Sequence, residues 1–221
     1  MRLRVAEALV AFDLDGTLID SAPDIHAIAN AVLAAEGLEG ITLDEARSFV
    51  GRGAANFVAQ MRAVRGIQEA EQERLLAAYL ARYQGAVGLT SLYPGVRAAL
   101  KALRDAGHTL LLCTNKPEAP TRAVLDHFDL AGFFEVVIGG DTLPVRKPDP
   151  APLLTAYDRA ARDGPRIFVG DSEIDAETAE AAGVPFLLYT EGYRKAPAEA
   201  LPHHARFDQF DTLLGLVDGL L

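Results

Sequence analysis

Five short apolar runs constrain this chain more than any other feature of its sequence. They are Ala8-Leu9-Val10-Ala11-Phe12, Thr109-Leu110-Leu111-Leu112-Cys113, Glu135-Val136-Val137-Ile138, Arg166-Ile167-Phe168-Val169 and Pro185-Phe186-Leu187-Leu188-Tyr189. Each is too short for a helix. Continuous apolar runs of this length fit strands buried on both faces, as in a parallel sheet. Helix-period stretches separate them. Val96 to Ala106 carries apolar residues at 96, 99, 100 and 103 and stops at Gly107. Glu118 to Phe128, Ala151 to Ala161 and Ile174 to Ala182 behave likewise, the last closed by Gly183. Strands alternating with helices of this length predict an α/β fold built on a parallel sheet.

One region breaks the alternation. Between Ser21 and Gly85 there is no strand pattern, only helix-period segments: Ala22 to Glu36, Thr42 to Phe49, Ala54 to Val64 and Glu69 to Tyr83. Thr42 reads as an N-cap, with Glu45 three residues on to complete a capping box. The expected organisation is a core of residues 1–20 and 87–221, with an all-helical cap, 21–86, inserted after the first strand.

The bulk composition is that of a globular protein: 221 residues, half of them apolar and 24% charged. The net charge of −10 disfavours nucleic acid and anionic membrane as partners. Any anionic substrate must then be met by a local cluster of cations. The single cysteine, Cys113, allows no internal disulfide and fits a reducing compartment. Arg2 and Arg4 precede a short apolar run broken by Glu7, which makes no convincing signal peptide. No stretch approaches the roughly 18 apolar residues of a membrane span. A cytoplasmic location is the expectation.

Four polar segments sit at or just after the predicted strands: Asp13-Leu14-Asp15-Gly16-Thr17, Thr114-Asn115-Lys116, Lys147-Pro148 and Gly170-Asp171-Ser172-Glu173-Ile174-Asp175. In an open parallel sheet the carboxyl ends of the strands face one crevice, so these segments converge. Asp13 and Asp15, two apart in extended chain, project to the same side. One carboxylate can attack phosphorus, and the second can protonate the leaving oxygen and later deprotonate water. Asp171 and Asp175 add further carboxylates. A few hard oxygen ligands suit Mg²⁺ better than Zn²⁺. Gly16 permits close backbone approach to a phosphate. Thr114 and Asn115 offer a hydroxyl and an amide to phosphate oxygens, and Lys147 a positive charge. Each segment also has a plainer reading. Asp-Gly and Asp-x-Asp pairs form turns, and Gly170-Asp171-Ser172 fits a helix N-cap.

Taken together, the four segments make the chain resemble the haloacid dehalogenase superfamily of phosphatases, over essentially its whole length. Asp13 through Ser21, Thr114-Asn115-Lys116-Pro117 and Gly170-Asp171-Ser172 are most similar to the phosphoglycolate phosphatase family. The resemblance implies a Rossmann-like core with a helical cap, Asp13 as nucleophile and Asp15 as acid/base. It implies Mg²⁺ held by Asp13, the Asp15 carbonyl and Asp171, supported by Asp175. Catalytic roles then fall to Asp13, Asp15, Thr114 and Lys147, and substrate contacts to Gly16, Thr17, Asn115 and Arg52.

The expected substrate is a small anionic phosphorylated metabolite, 2-phosphoglycolate first among them, met by a monomer or homodimer. Other small phosphorylated acids or sugars, pyrophosphate, a phosphosugar mutase, or a metabolite sensor on the same fold are the alternatives. Dehalogenases lack the second aspartate, here Asp15, and phosphonoacetaldehyde hydrolases need a cap lysine, which residues 21–85 do not contain. β-Phosphoglucomutases carry a histidine twelve residues after the nucleophile; that position is Ile25, with His26 one step off. Arg52, between Gly51 and Gly53, suits a substrate carboxylate or is an exposed loop arginine. His203-His204 reads as surface loop, Cys113 as core, and Arg146 receives no role.

Overall fold

The computed structural model describes residues 7–83 and 86–221, so Arg2, Arg4 and Gly85 lie outside the described residues. In chain order the strands are β1 (Leu9–Phe12), β2 (Ile19–Asp20), β3 (Ser91–Leu92), β4 (Thr109–Cys113), β5 (Phe134–Ile138), β6 (Arg166–Gly170), β7 (Phe186–Tyr189) and β8 (Ala205–Phe207). The helices are α1 (Ala22–Ala35), α2 (Leu43–Phe49), α3 (Ala54–Val64), α4 (Gln72–Tyr83), α5 (Val96–Asp105), α6 (Glu118–His127), α7 (Ala151–Arg159), α8 (Glu173–Ala182) and α9 (Leu213–Asp218).

Six strands form one parallel sheet in the order β5-β4-β1-β6-β7-β8. The apolar runs are continuous because each strand packs on both faces. Along β1, Val10 and Phe12 enter a core layer with α5 and α9, while Leu9 and Ala11 enter another with α7 and α8. Leu110 and Leu112 of β4 follow the first set, and Leu111 and Cys113 the second. The chain moves outward from β1 through β4 to β5, then returns to the other side of β1 at β6. That reversal opens a crevice at the carboxyl ends of β1, β4 and β6.

Helices α1 to α4 enclose their own apolar cluster, in which Phe57 packs edge-on to Phe49 and tilted on Tyr79, ring centroids 5.8 and 5.3 Å apart. The capping box at Thr42 forms as its residues predict, with Glu45 answering the Thr42 amide at 2.7 Å. Ser21 occupies the N-cap position of α1 but makes no side-chain cap. Its hydroxyl donates instead to Asp15 Oδ1 at 2.5 Å.

Several elements differ from the sequence expectation. β2 and β3 pair antiparallel as a two-residue ribbon joining core to helices; strands this short carry no periodicity. Glu69–Glu71 is a separate 3-10 turn before α4. β8 extends the sheet edge beyond His203 and His204, and the His204 ring accepts the Phe186 amide at 3.1 Å. One apolar residue facing inward, Phe207, is too weak a signal for a strand.

Asp24, in the first turn of α1, fastens the second linker to that helix. Its Oδ2 accepts from the Leu89 amide, the Thr90 amide and the Thr90 hydroxyl at 3.0, 2.7 and 2.6 Å, in a mostly buried setting. Replacing Asp24 by Ala leaves these donors unpaired, and urea unfolding should show a loss of about 2–3 kcal/mol. A loss below about 0.5 kcal/mol, the range of an ordinary surface substitution, would contradict this role.

Candidate active site

Each polar segment emerges at the crevice because a strand ends beneath it. The Asp13 amide continues the ladder to the Val169 carbonyl at 2.9 Å, and the Thr114 amide to the Ile138 carbonyl at 3.0 Å. The next side chains face the opening. Asp13, Asp171 and Asp175 are all buried, and each offers a carboxylate oxygen within 4.8 Å of the others. Lys147 reaches in from the loop after β5. Its Nζ donates to Asp13 Oδ1 at 2.8 Å and to Asp175 Oδ1 at 2.7 Å, and lies 5.2 Å from the centre of the Phe168 ring.

Burial dominates the electrostatics. It pushes the Asp13 carboxyl up to about 7, against the pull of Lys147 and with the push of Asp175. Burial and then the charge of Asp175 hold Asp171 well above the carboxylate range. Burial opposes the Lys147 ammonium, yet Asp13 and Asp175 keep its pKa above that of an ordinary lysine. One ammonium thus faces three carboxylates. The donor set is all oxygen, buried and short of positive charge, so a hard divalent cation fits it.

Asp175 also completes a capping box at α8: its Oδ2 accepts from the Ser172 amide and hydroxyl, at 3.2 and 2.7 Å. The helix-cap reading of this segment is therefore realised, and the same Asp175 carboxylate lies within the acidic cluster. Gly16 and Thr17 lie against Asp171. A Cβ at Gly16, whose φ is 91°, would stand 2.5 Å from Asp171 Oδ2. The Thr17 hydroxyl donates to Asp171 Oδ1 at 2.8 Å. The Asn115 side chain is spent on backbone: its Nδ2 donates to the Gly51 and Lys147 carbonyls, at 2.8 and 2.9 Å, and its Oδ1 accepts the Lys147 amide at 3.0 Å. It fixes the Lys147 loop and touches the turn before α3.

Asp15 points to a different set of partners. Besides Ser21, its Oδ1 accepts from Lys116 Nζ at 3.0 Å. The same ammonium donates to the Tyr83 hydroxyl at 2.6 Å, at the end of α4. Lys116 is buried. Its sequence signal was its place in the segment after β4, where a buried lysine needs a carboxylate partner; nothing in the sequence links it to Tyr83.

The cleft divides into two parts that share Asp13 and Asp15. The inner part has Thr114 on the core side and Ile25, Phe57 and Tyr79 as an apolar wall from the helical segment. Ile25 faces this space, whereas the His26 ring is held by the Ile41 carbonyl at 2.8 Å. The outer part, about 640 Å³, runs between Lys147, Asp171 and Tyr193 on the core and Arg52, Asn56 and Gln60 around the start of α3. Arg52 is exposed at this rim. Arg146 borders another hollow, with its guanidinium 2.9 Å from where a Gly53 Cβ would lie. Cys113 is sealed in the core, its thiol pushed up to about 12 by burial. Among the described residues no helix is long and apolar enough to cross a membrane.

Known proteins are similar to this chain in sequence and fold. The chain is 47% identical over 218 residues to a phosphoglycolate phosphatase of Rhodobacter capsulatus, covering 97% of this chain and 98% of that protein. It is 48% identical to a phosphoglycolate phosphatase of Cereibacter sphaeroides, covering 96% and 98%. A crystal structure described as that of a predicted phosphoglycolate phosphatase from Haemophilus somnus superposes with a TM-score of 0.86 at 28% identity, over 95% of this chain and 97% of that one. The sequence model of the haloacid dehalogenase-like hydrolases matches residues 8–183. The chain belongs to the haloacid dehalogenase-like hydrolase family, and is a hydrolase built on its parallel sheet.

Proposed function

We propose that the chain is a Mg²⁺-dependent phosphomonoesterase that works through an aspartyl-phosphate on Asp13, with 2-phosphoglycolate as its substrate. The observation that carries this is the meeting of Asp13, Asp171, Asp175 and Lys147 at one buried point, with Asp15 two residues along. The similarity to phosphoglycolate phosphatases supports the choice of substrate. A bound Mg²⁺ supplies charge to offset the phosphate and the crowded carboxylates; Asp13, Asp171 and the Asp15 carbonyl would hold it, with Asp175 in support.

Lys147 occupies Asp13 Oδ1, and Oδ2 accepts no hydrogen bond among the described residues. That oxygen attacks phosphorus in line. The ester bond breaks, and Asp15 gives its proton to the leaving oxygen. Water then attacks the phosphorylated Asp13 and returns a proton to Asp15, freeing phosphate and the Asp13 carboxylate. Thr114 presents its hydroxyl to the phosphoryl oxygens, with Gly16, Thr17 and Asn115 shaping the surrounding loop. Residues 21–86 act as the cap over a core of 1–20 and 87–221, and the wall of Ile25, Phe57 and Tyr79 excludes bulk water when it closes. Ile25 in place of a histidine favours hydrolysis over phosphosugar transfer. The net charge of −10 disfavours nucleic acid and anionic membrane as partners, and the single cysteine favours a cytoplasmic location; the enzyme would act as a monomer or homodimer.

Arg52 at the outer rim is the cation that would read the substrate carboxylate. Arg52→Ala should lower kcat/KM for phosphoglycolate roughly ten- to a hundredfold, the worth of one charge-assisted pair. p-Nitrophenyl phosphate, which has no carboxylate, should be hydrolysed nearly as before. Equal losses on both substrates would assign Arg52 to general cap closure and remove this support for phosphoglycolate.

The raised Asp13 pKa predicts how pH governs metal binding. Protons compete for Asp13 below about 7, so the apparent Mg²⁺ affinity should fall as pH drops through that value, by about tenfold per pH unit for the Asp13 proton alone. Titration calorimetry at several pH values measures this. An affinity unchanged between about pH 5.5 and 8 would contradict it.

A further inference from the structure

Tyr193 lies in the loop after β7 and spans two parts of the molecule. Its backbone N–H donates to Asp171 Oδ2 at 2.7 Å. Its phenol donates to Asp20 Oδ1 at 2.6 Å and accepts from the Ala22 amide at 3.0 Å. Asp20 ends β2, and Ala22 begins α1. The other Asp20 oxygen accepts from Arg47 Nη2 of α2 at 3.4 Å. One residue therefore joins a carboxylate of the acidic cluster to the first linker, and the linker to the helices beyond. The loop has little slack. A Cβ at Gly192 would lie 2.3 Å from Asp171 Oδ2 and 2.4 Å from the Gly16 carbonyl, so the backbone before Tyr193 is packed directly against Asp171 and has no room to move toward it.

We propose that Tyr193 is a positioning residue that couples the Asp13–Asp171–Asp175 cluster to the linker Asp20–Ala22, so that a cation held at Asp171 sets the linker. The coupling rests on the reading of Asp171 as a metal ligand. A cation drawing on the Asp171 carboxylate turns the oxygen that holds the Tyr193 amide, and the short loop carries that turn to the phenol. Coupling of this kind is reciprocal: disturbing the linker end changes the affinity at the carboxylate end.

Tyr193→Phe is the informative variant, because it keeps the amide on Asp171 and removes both phenol bonds. Mn²⁺ serves as the probe, its free concentration read by electron paramagnetic resonance with no substrate present. Tyr193→Phe and Asp20→Asn should each weaken Mn²⁺ binding roughly three- to tenfold, and the double variant no more than the weaker-binding single. Added Mn²⁺ should slow hydrogen exchange at the Ala22 amide in the wild type and not in the variants. A tyrosine with only a structural role would lower the melting temperature and leave the Mn²⁺ dissociation constant alone. Folded variants that bind Mn²⁺ like the wild type, multiplicative losses in the double variant, or Ala22 exchange in the wild type indifferent to Mn²⁺ would each overturn the coupling. If Tyr193→Phe does not fold, Asp20→Asn and wild-type exchange decide. A wild type that binds no Mn²⁺ overturns the metal reading itself, and this inference with it.

Discussion

Everything at the crevice depends on Lys147 lying between two buried carboxylates. Asp13 and Asp175 could not both stay charged in so dry a place without it, since an unpaired buried charge costs several kcal/mol. The lysine is itself held by Asn115, which fixes the backbone of its loop on both sides of the peptide unit. Asp175 is held by the first turn of α8 and Asp13 by the end of β1. Sheet, helix terminus and loop thus converge on one ammonium. Even so the charges do not balance, because Asp171 stands beside the pair with only the Thr17 hydroxyl and the Tyr193 amide as donors among the described residues. A divalent cation bound there would relieve the crowded carboxylates and, with Lys147, meet a phosphate.

The same crowding explains why the linkers to the helical segment run through the site. Asp15 is tied to Ser21 in the first linker and, through Lys116, to Tyr83 at the end of α4. Asp24 joins α1 to the second linker, and Tyr193 joins the first to Asp171. Among the described residues, Asp15, Asp24 and Asp171 each accept from a linker or loop rather than from the sheet. A movement of those helices would therefore be felt by Asp15 before it was felt by Asp13, whose hydrogen-bond partners among the described residues belong to the core alone.

Most of the fold could be read because strands buried on both faces leave uninterrupted apolar runs, and the Gly107 and Gly183 stops mark helix ends plainly. The site segments were legible for a related reason: Asp13, Thr114 and Asp171 follow such runs directly, and sheet geometry does the rest. What escaped was short or long-range. The ribbon of Ile19–Asp20 with Ser91–Leu92 has two residues a side and no pattern. Lys116 and Tyr83 are 33 positions apart and meet only because the helical segment folds back. Tyr193 reaches Asp20 across 173 positions from a loop with no motif. Thr17 and Asn115 show the limit from the other side. Their chemistry suggested phosphate contacts, but a hydroxyl or amide in sequence does not say which of several neighbours it will satisfy, and here Asp171 and the Lys147 backbone take them.

The central claim is that Asp13, one of the two carboxylates paired with Lys147, carries the phosphoryl group. An aspartyl-phosphate survives acid quench and is converted by borohydride to homoserine, which peptide mass spectrometry locates. Quenching the enzyme during turnover of phosphoglycolate with Mg²⁺ present should yield homoserine at position 13 and at no other aspartate. Homoserine at position 15, 171 or 175, or none at any aspartate while phosphate is being released, would contradict the account.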